Sequence, residues 1–398
     1  MKILFAFLLI IFLSFSGYHL SFRKFGIPLF ARTFYLTGLE FLFIGLLLGP
    51  QFLNILDVNT CGVLAPVTAL LLGWIGMLFG FQFEISKLRR FPRIDFIAGL
   101  LEGFLTLVVV FCGIYFILPF ILEISAHMRI VMSVMLASAA ACTAQTGLAM
   151  LSARQIGRNQ SIVQILRYLS SIDGLVAMLV LTPVFVFLPR HSGMAATRFF
   201  FEYHILIAVI SFAGMLILYN LFLVYRREQS ELNLIIIGMV IFISGFSSVM
   251  NFSPLLSNFF VGVCLVNLTG EKEKIYTTLI SIEKPVYLLL LVFLGSAWYL
   301  ENFWAIAIAA GYCLLRLLGK MIGGLSISFL GAKMQAYPPT LGLGLIGQGG
   351  LPFAVLFDFQ QGFQSEVTDA VVGIALISII FSDVMSSNLV GRLLKKGV

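Results

Sequence analysis

The chain has 398 residues, of which 60% are hydrophobic and 11% charged, with a mean hydropathy of +1.05 and a formal net charge of +7. Soluble domains carry about 25% charged residues and disorder requires low hydropathy, so both are excluded and an all-α polytopic membrane protein remains. Long continuous apolar runs, such as 63–83 and 306–327, also exclude a transmembrane β-barrel, which shows short segments of strict alternation.

A span needs roughly 20 apolar residues to cross a hydrocarbon core about 30 Å thick. The runs predict about thirteen spans, at 3–20, 36–53, 61–82, 94–121, 128–151, 161–188, 203–225, 232–250, 254–268, 285–300, 303–329, 339–358 and 369–390. No loop between them holds a soluble domain, so any function lies within the membrane. With the C-terminus inside, eighteen of the 25 basic residues fall on inner segments, and only Lys2, Arg129, Arg190 and Arg198 fall outside. That positive-inside bias explains the net charge without nucleic acid as a partner. It sets the N-terminus outside and the C-terminus in the cytoplasm. The first run, followed by Ser14-Phe-Ser16, resembles a signal peptide. Its cleavage would leave Arg23 and Lys24 outside, so an uncleaved span is expected. The five cysteines are scattered with no paired spacing and read as small buried hydrophobes.

An ionisable side chain at bilayer depth is expensive and points to function. Glu40, Glu102, Arg167, Asp173, Arg316, Lys320 and Asp383 are such residues. Asp173 is the deepest acid, about 20 Å into span 6 at 1.5 Å per residue. Arg316 enters span 11 to comparable depth from the other side, with Lys320 one turn further on the same face. Structural ion pairing between helices is an alternative reading for Arg316, Lys320 and Glu102.

Two spans contain breakers. Span 5 carries Ser138-Ala-Ala-Ala-Cys-Thr143-Ala-Gln145-Thr146-Gly147, and span 12 carries Gly344-Leu-Ile-Gly347-Gln348-Gly349-Gly350-Leu-Pro352. Glycine and proline unwind helices, and unwound backbone at membrane depth is tolerated where it lines a cavity or is packed in protein. Close packing of small residues is the competing explanation. Each interrupted span precedes a span with an intramembrane aspartate, Asp173 or Asp383. The pair lie seven positions apart in the span order, with six spans between them, so they run in opposite directions. This is the pattern of an inverted-repeat secondary transporter. The whole chain is then one membrane transporter domain, with repeats at about 1–190 and 232–398 and a linker helix at about 203–225.

The sequence resembles the monovalent cation:proton antiporter family, the Na⁺/H⁺ and K⁺/H⁺ exchangers, over its membrane domain. The motifs are Gly45-Leu-Leu-Leu-Gly49-Pro50, Phe79-Gly80-Phe-Gln-Phe-Glu84 with Arg89-Arg90, Thr143-Ala-Gln145-Thr146, Ser171-Ile172-Asp173, Ser253-Pro254 through Gly262, Glu283-Lys-Pro285 through Gly295, Arg316-Leu-Leu-Gly319 with Gly323, and Gly347-Gln348-Gly349. Two positions depart from the family pattern: Ile172 stands where it has Asp, Asn or Gln, and Gln348-Gly349-Gly350 where it often has Arg-Gly-Glu.

The resemblance implies exchange of Na⁺, Li⁺ or K⁺ for H⁺ by a homodimer in the cell (inner) membrane, with no cofactor and no enzymatic activity. It places the ion on Asp173, which binds proton or cation competitively. Thr143, Gln145, Thr146, Ser171 and Gln348 supply further oxygens, and Arg316, Lys320 and Glu102 compensate charge. A sodium-coupled organic-solute symporter of similar fold and a non-transporting homologue are the alternatives. An intramembrane aspartyl protease needs an acid pair sharing a proton, and neither Ile172-Asp173-Gly174 nor Ser382-Asp383-Val384 resembles its motifs.

Overall fold

In the computed structural model the described residues are 2–20, 38–89, 92–120, 124–143, 160–187, 214, 229–250, 252–270, 272–298, 304–330, 337–363 and 365–396, and all regular structure among them is helical. The helices are α1 (Lys2–Leu20), α2 (Leu39–Leu48), α3 (Val58–Val63), α4 (Ala65–Gly80), α5 (Ile85–Leu88), α6 (Arg93–Ile117), α7 (Ala126–Ala141), α8 (Gln160–Phe187), α9 (Gln229–Val249), α10 (Pro254–Leu268), α11 (Lys272–Ser296), α12 (Trp304–Ile327), α13 (Gly350–Gly362) and α14 (Glu366–Lys396). Six described helices are long and apolar enough to cross a membrane, and five shorter apolar ones accompany them. The predicted linker helix at 203–225, all but Gly214, lies outside the described residues. The span expected at 285–300 belongs to a helix that already begins at Lys272 and carries Pro285 inside it. Its first half is polar, and hydropathy marks the membrane rather than the helix.

The chain forms two compact units, each drawn from three separate stretches of the sequence. The first comprises Met1–Phe25, Glu40–Arg90 and Phe185–Ala297. Its central contact is α4 against α10, and glycine makes it possible. A Cβ on Gly76 would stand 2.1 Å from the Leu255 carbonyl oxygen, and one on Gly262 would stand 2.4 Å from that of Met77. Backbones meet where no side chain intervenes, the usual basis of helix association in lipid. Buried polar groups fasten the same bundle. Trp74 Nε1 donates to the Leu279 carbonyl at 3.1 Å, and Asn258 Nδ2 donates to Ser244 Oγ at 3.0 Å. Gly76→Val therefore drives a branched side chain into backbone and is expected to cost about 1–3 kcal/mol, the usual cost of overpacking, or more. A melting temperature of the purified variant equal to wild type would contradict this.

One end of this unit is held by charge. Glu84 takes Lys272 Nζ at 2.9 Å, Ser86 Oγ at 2.5 Å and Lys87 Nζ at 2.9 Å. These partners, Lys272 foremost, hold its carboxyl at about 2 against an ordinary 4.5. A depressed carboxyl stabilises above its unfolded value, so this contribution is present above 4.5 and lost as pH falls toward 2. Partly exposed pairs are worth at most about 1 kcal/mol. The melting temperatures of wild type and Glu84→Gln should thus differ slightly at neutral pH and converge in acid. A gap that widens in acid would contradict the assignment.

The second unit comprises Gly26–Leu39, Phe91–Val184 and Trp298–Val398. Within it α12 packs on α6 and α14, and α7 packs on α6. An apolar cluster that includes Ala98, Leu166, Leu169, Leu341, Leu345 and Leu393 closes part of its core. Both predicted interruptions lie in this unit.

Candidate functional site

The first interruption follows α7. Three alanines carry the helix to Ala141, and Cys142 then turns extended, at φ −59° and ψ 141°. The second lies between a 3₁₀ turn, Leu341–Leu345, and α13. Gly349 breaks the chain there with φ 66° and ψ −155°, a conformation that a Cβ disfavours. Pro352 follows in the first turn of α13, where no helical partner for its missing N–H is needed.

A helix end leaves its last four carbonyls without intrahelical donors. Here, side chains from the other interrupted segment and from α12 supply them. Gln348 Nε2 donates to the Ala139 carbonyl at 3.1 Å, Arg316 Nε to Ala140 at 2.9 Å, Lys320 Nζ to Ala141 at 2.9 Å, and Arg316 Nη2 to Cys142 at 3.1 Å. Arg316 also reaches the second interruption, donating through Nη1 to Ile346 O and through Nη2 to Leu345 O at 3.3 Å. Arg316 is 1% exposed, and its guanidinium makes no ion pair among the described residues. The carbonyl ends carry partial negative charge, and a planar fork of five donors suits several such acceptors at once.

The acids meet one turn away. Lys320 Nζ lies 2.7 Å from Asp173 Oδ2 and 3.2 Å from Glu102 Oε2, and all three side chains have no exposed surface. Gly323 permits this approach, since a Cβ there would stand 2.9 Å from Glu102 Cγ and 3.1 Å from its carbonyl oxygen. Thr143 Oγ1 is 2.8 Å from Asp173 Oδ2 and 3.2 Å from the Leu345 carbonyl. Its single proton goes to one of them, and the carboxylate is nearer. Asp173 Oδ1 is buried without a hydrogen-bond partner. Gly103 keeps that oxygen clear, because a Cβ there would lie 3.1 Å from it.

No family model and no curated protein matches the sequence. Among solved structures, the sodium proton antiporter MjNhaP1 from Methanocaldococcus jannaschii, determined at pH 8, is similar with a TM-score of 0.68 over 100% of this chain and 99% of its own, at 17% identity. An electron-microscopy structure of the same antiporter gives a TM-score of 0.61 at 15% identity, covering 90% of both chains. The chain has the NhaP1 fold.

Within that fold, the predicted residues divide into groups. Asp173, Thr143, Lys320 and Glu102 come together. Arg316 sits one turn from Lys320, as expected, and compensates charge by holding the carbonyls of the helix end rather than a carboxylate. Ser171 is not brought onto Asp173: its Oγ donates to the Arg167 carbonyl at 3.1 Å, because residues two apart on a helix face different ways. Gln348 is also placed elsewhere. Its side-chain amide donates to Ala139, and its backbone N–H donates to Asp383 Oδ1 at 2.7 Å. Gln145 and Thr146 lie outside the described residues.

Sequence reasoning gave Asp383 no role at the site, although it stood out as an intramembrane acid. The Leu345 and Ile346 carbonyls were missed too, and backbone acceptors carry no signal in residue type.

Proposed function

We propose that the chain is a secondary antiporter that exchanges a monovalent cation, Na⁺ or K⁺, for H⁺ by alternating access, with Asp173 taking proton or cation in turn. The observation that carries this is a wholly buried carboxylate with one oxygen held by Lys320 and Thr143 and the other without a donor. The likeness in fold to a sodium proton antiporter supports the same reading. With both acids ionised, Glu102, Asp173 and Lys320 together carry one excess negative charge. One proton or one monovalent cation removes it, so exchange is one for one and electroneutral. A cation on Asp173 leaves Lys320 paired with Glu102, and no buried charge stands alone. The repeats, the homodimer, the cell membrane and an outside N-terminus belong to the same proposal.

The test is reconstitution into liposomes with an inward proton gradient, a pH-reporting dye and Na⁺, Li⁺, K⁺ or choline added in turn. One alkali ion should dissipate the gradient at a rate that valinomycin leaves unchanged, and choline should not. Wild-type protein that moves no protons with any alkali ion would overturn the proposal.

A further inference from the structure

The second interruption has its own acid, and the exchange just described does not use it. Asp383 is 3% exposed and Gln348 is 1% exposed. Asp383 Oδ1 accepts the Gln348 backbone N–H at 2.7 Å. Its Oδ2 is buried with no hydrogen-bond partner, and so is Gln348 Oε1. Two acceptors on two bonded residues therefore lack a donor. An ionised carboxylate only accepts and calls for donors at both oxygens. A carboxylic acid needs a donor at one oxygen only, and Oδ1 has one in the Gln348 backbone N–H.

We infer that Asp383 binds a proton, with its Oδ2–H available to Gln348 Oε1, so that the protein carries a second proton-binding site in addition to Asp173.

The neighbouring charges agree. α14 packs on α12, α13, α7 and the 3₁₀ turn. From α12, Arg316 acts on Asp383 through charge without an ion pair, and Cys313 is turned to Ser382 Oγ at 3.6 Å. The guanidinium is already balanced by the carbonyl ends of two interrupted segments. Just past α7, the Cys142 thiol is turned to the Ser138 carbonyl at 3.5 Å, and the ionisable residues of α7 itself, His127 and Arg129, lie in its first turn at the opposite end. The 3₁₀ turn has no ionisable residue, and α13 has only Asp358, two turns beyond its start. The Gly349 backbone N–H and the N-terminus of α13 favour a negative charge. Their pull is smaller than the cost of burying a carboxylate oxygen with no donor.

The test is infrared difference spectroscopy of the purified full chain in lipid, at neutral pH in choline buffer, in H₂O and D₂O. It does not depend on whether any cation is exchanged. Wild type should show the carbonyl stretch of a protonated carboxylic acid that shifts in D₂O. Asp383→Asn should lose that component and Asp173→Asn should keep it. Gln348→Met, which retains the acid and removes its acceptor, should move the band to higher frequency and guards against misfolding of the first variant. A spectrum that Asp383→Asn leaves unchanged would overturn the assignment. So would conversion of the band to carboxylate by Na⁺ or K⁺ in Asp173→Asn, which would make the occupant a cation.

Discussion

Asp173→Asn is expected to abolish cation-dependent proton movement while leaving a folded protein. The amide keeps the size of the side chain and loses the charge. Lys320 retains Glu102 at 3.2 Å, so the ammonium is not stranded. The stability loss should be that of a weakened hydrogen bond to a charged group, about 1–3 kcal/mol, whereas gradient dissipation in liposomes should fall to the level of empty vesicles. Asp173→Glu retains the charge but adds a methylene beside Gly103, where even a Cβ would approach Oδ1 to 3.1 Å. It should exchange more slowly than wild type and faster than the asparagine variant. Undiminished exchange by purified Asp173→Asn would remove Asp173 from the mechanism.

The largest effect on stability should come from Lys320→Met. This change removes the ammonium that serves Asp173, Glu102 and the Ala141 carbonyl, all buried. Stripping one partner from a buried pair costs about 3–5 kcal/mol, chiefly because the other charge is left uncompensated. Here two carboxylates are left. A second substitution, Glu102→Gln, removes one of them, so the double variant should melt above Lys320→Met alone. Non-additivity of this kind marks residues in one network. If the two losses simply add, Lys320 and Glu102 are not coupled, and the charge balance assigned to them fails.

How far the site can be read from residue types depends on what each residue contacts. Asp173 and Lys320 stand out because ionisable groups are rare at bilayer depth, and the structure joins them at 2.7 Å. Ser171 was expected at the ion, although helix phase argues against it: positions two apart on a helix diverge, and its hydroxyl bonds to the Arg167 carbonyl instead. Gln348 was not legible. An amide beside glycines suits an ion as well as a carbonyl, and its position in the unwound segment decides in favour of Ala139. The roles of Arg316 and Asp383 depend on where helices end in space, and the acceptors and donors there are backbone groups that every sequence possesses.

By itself the sequence determined the solvent of this protein, its helical class and the places where two helices break. Hydrophobic run length, the charge bias of the loops and clustered glycine with proline are local properties that the bilayer reads directly. Tertiary structure alone decided the partners. Arg316 binds the ends of both interrupted segments because α12 lies where those ends meet. Glu102 shares Lys320 because Gly319 and Gly323 let α6 and α12 touch. Burial then converts these contacts into necessity, since a charge or carbonyl removed from water must find its partner within the protein.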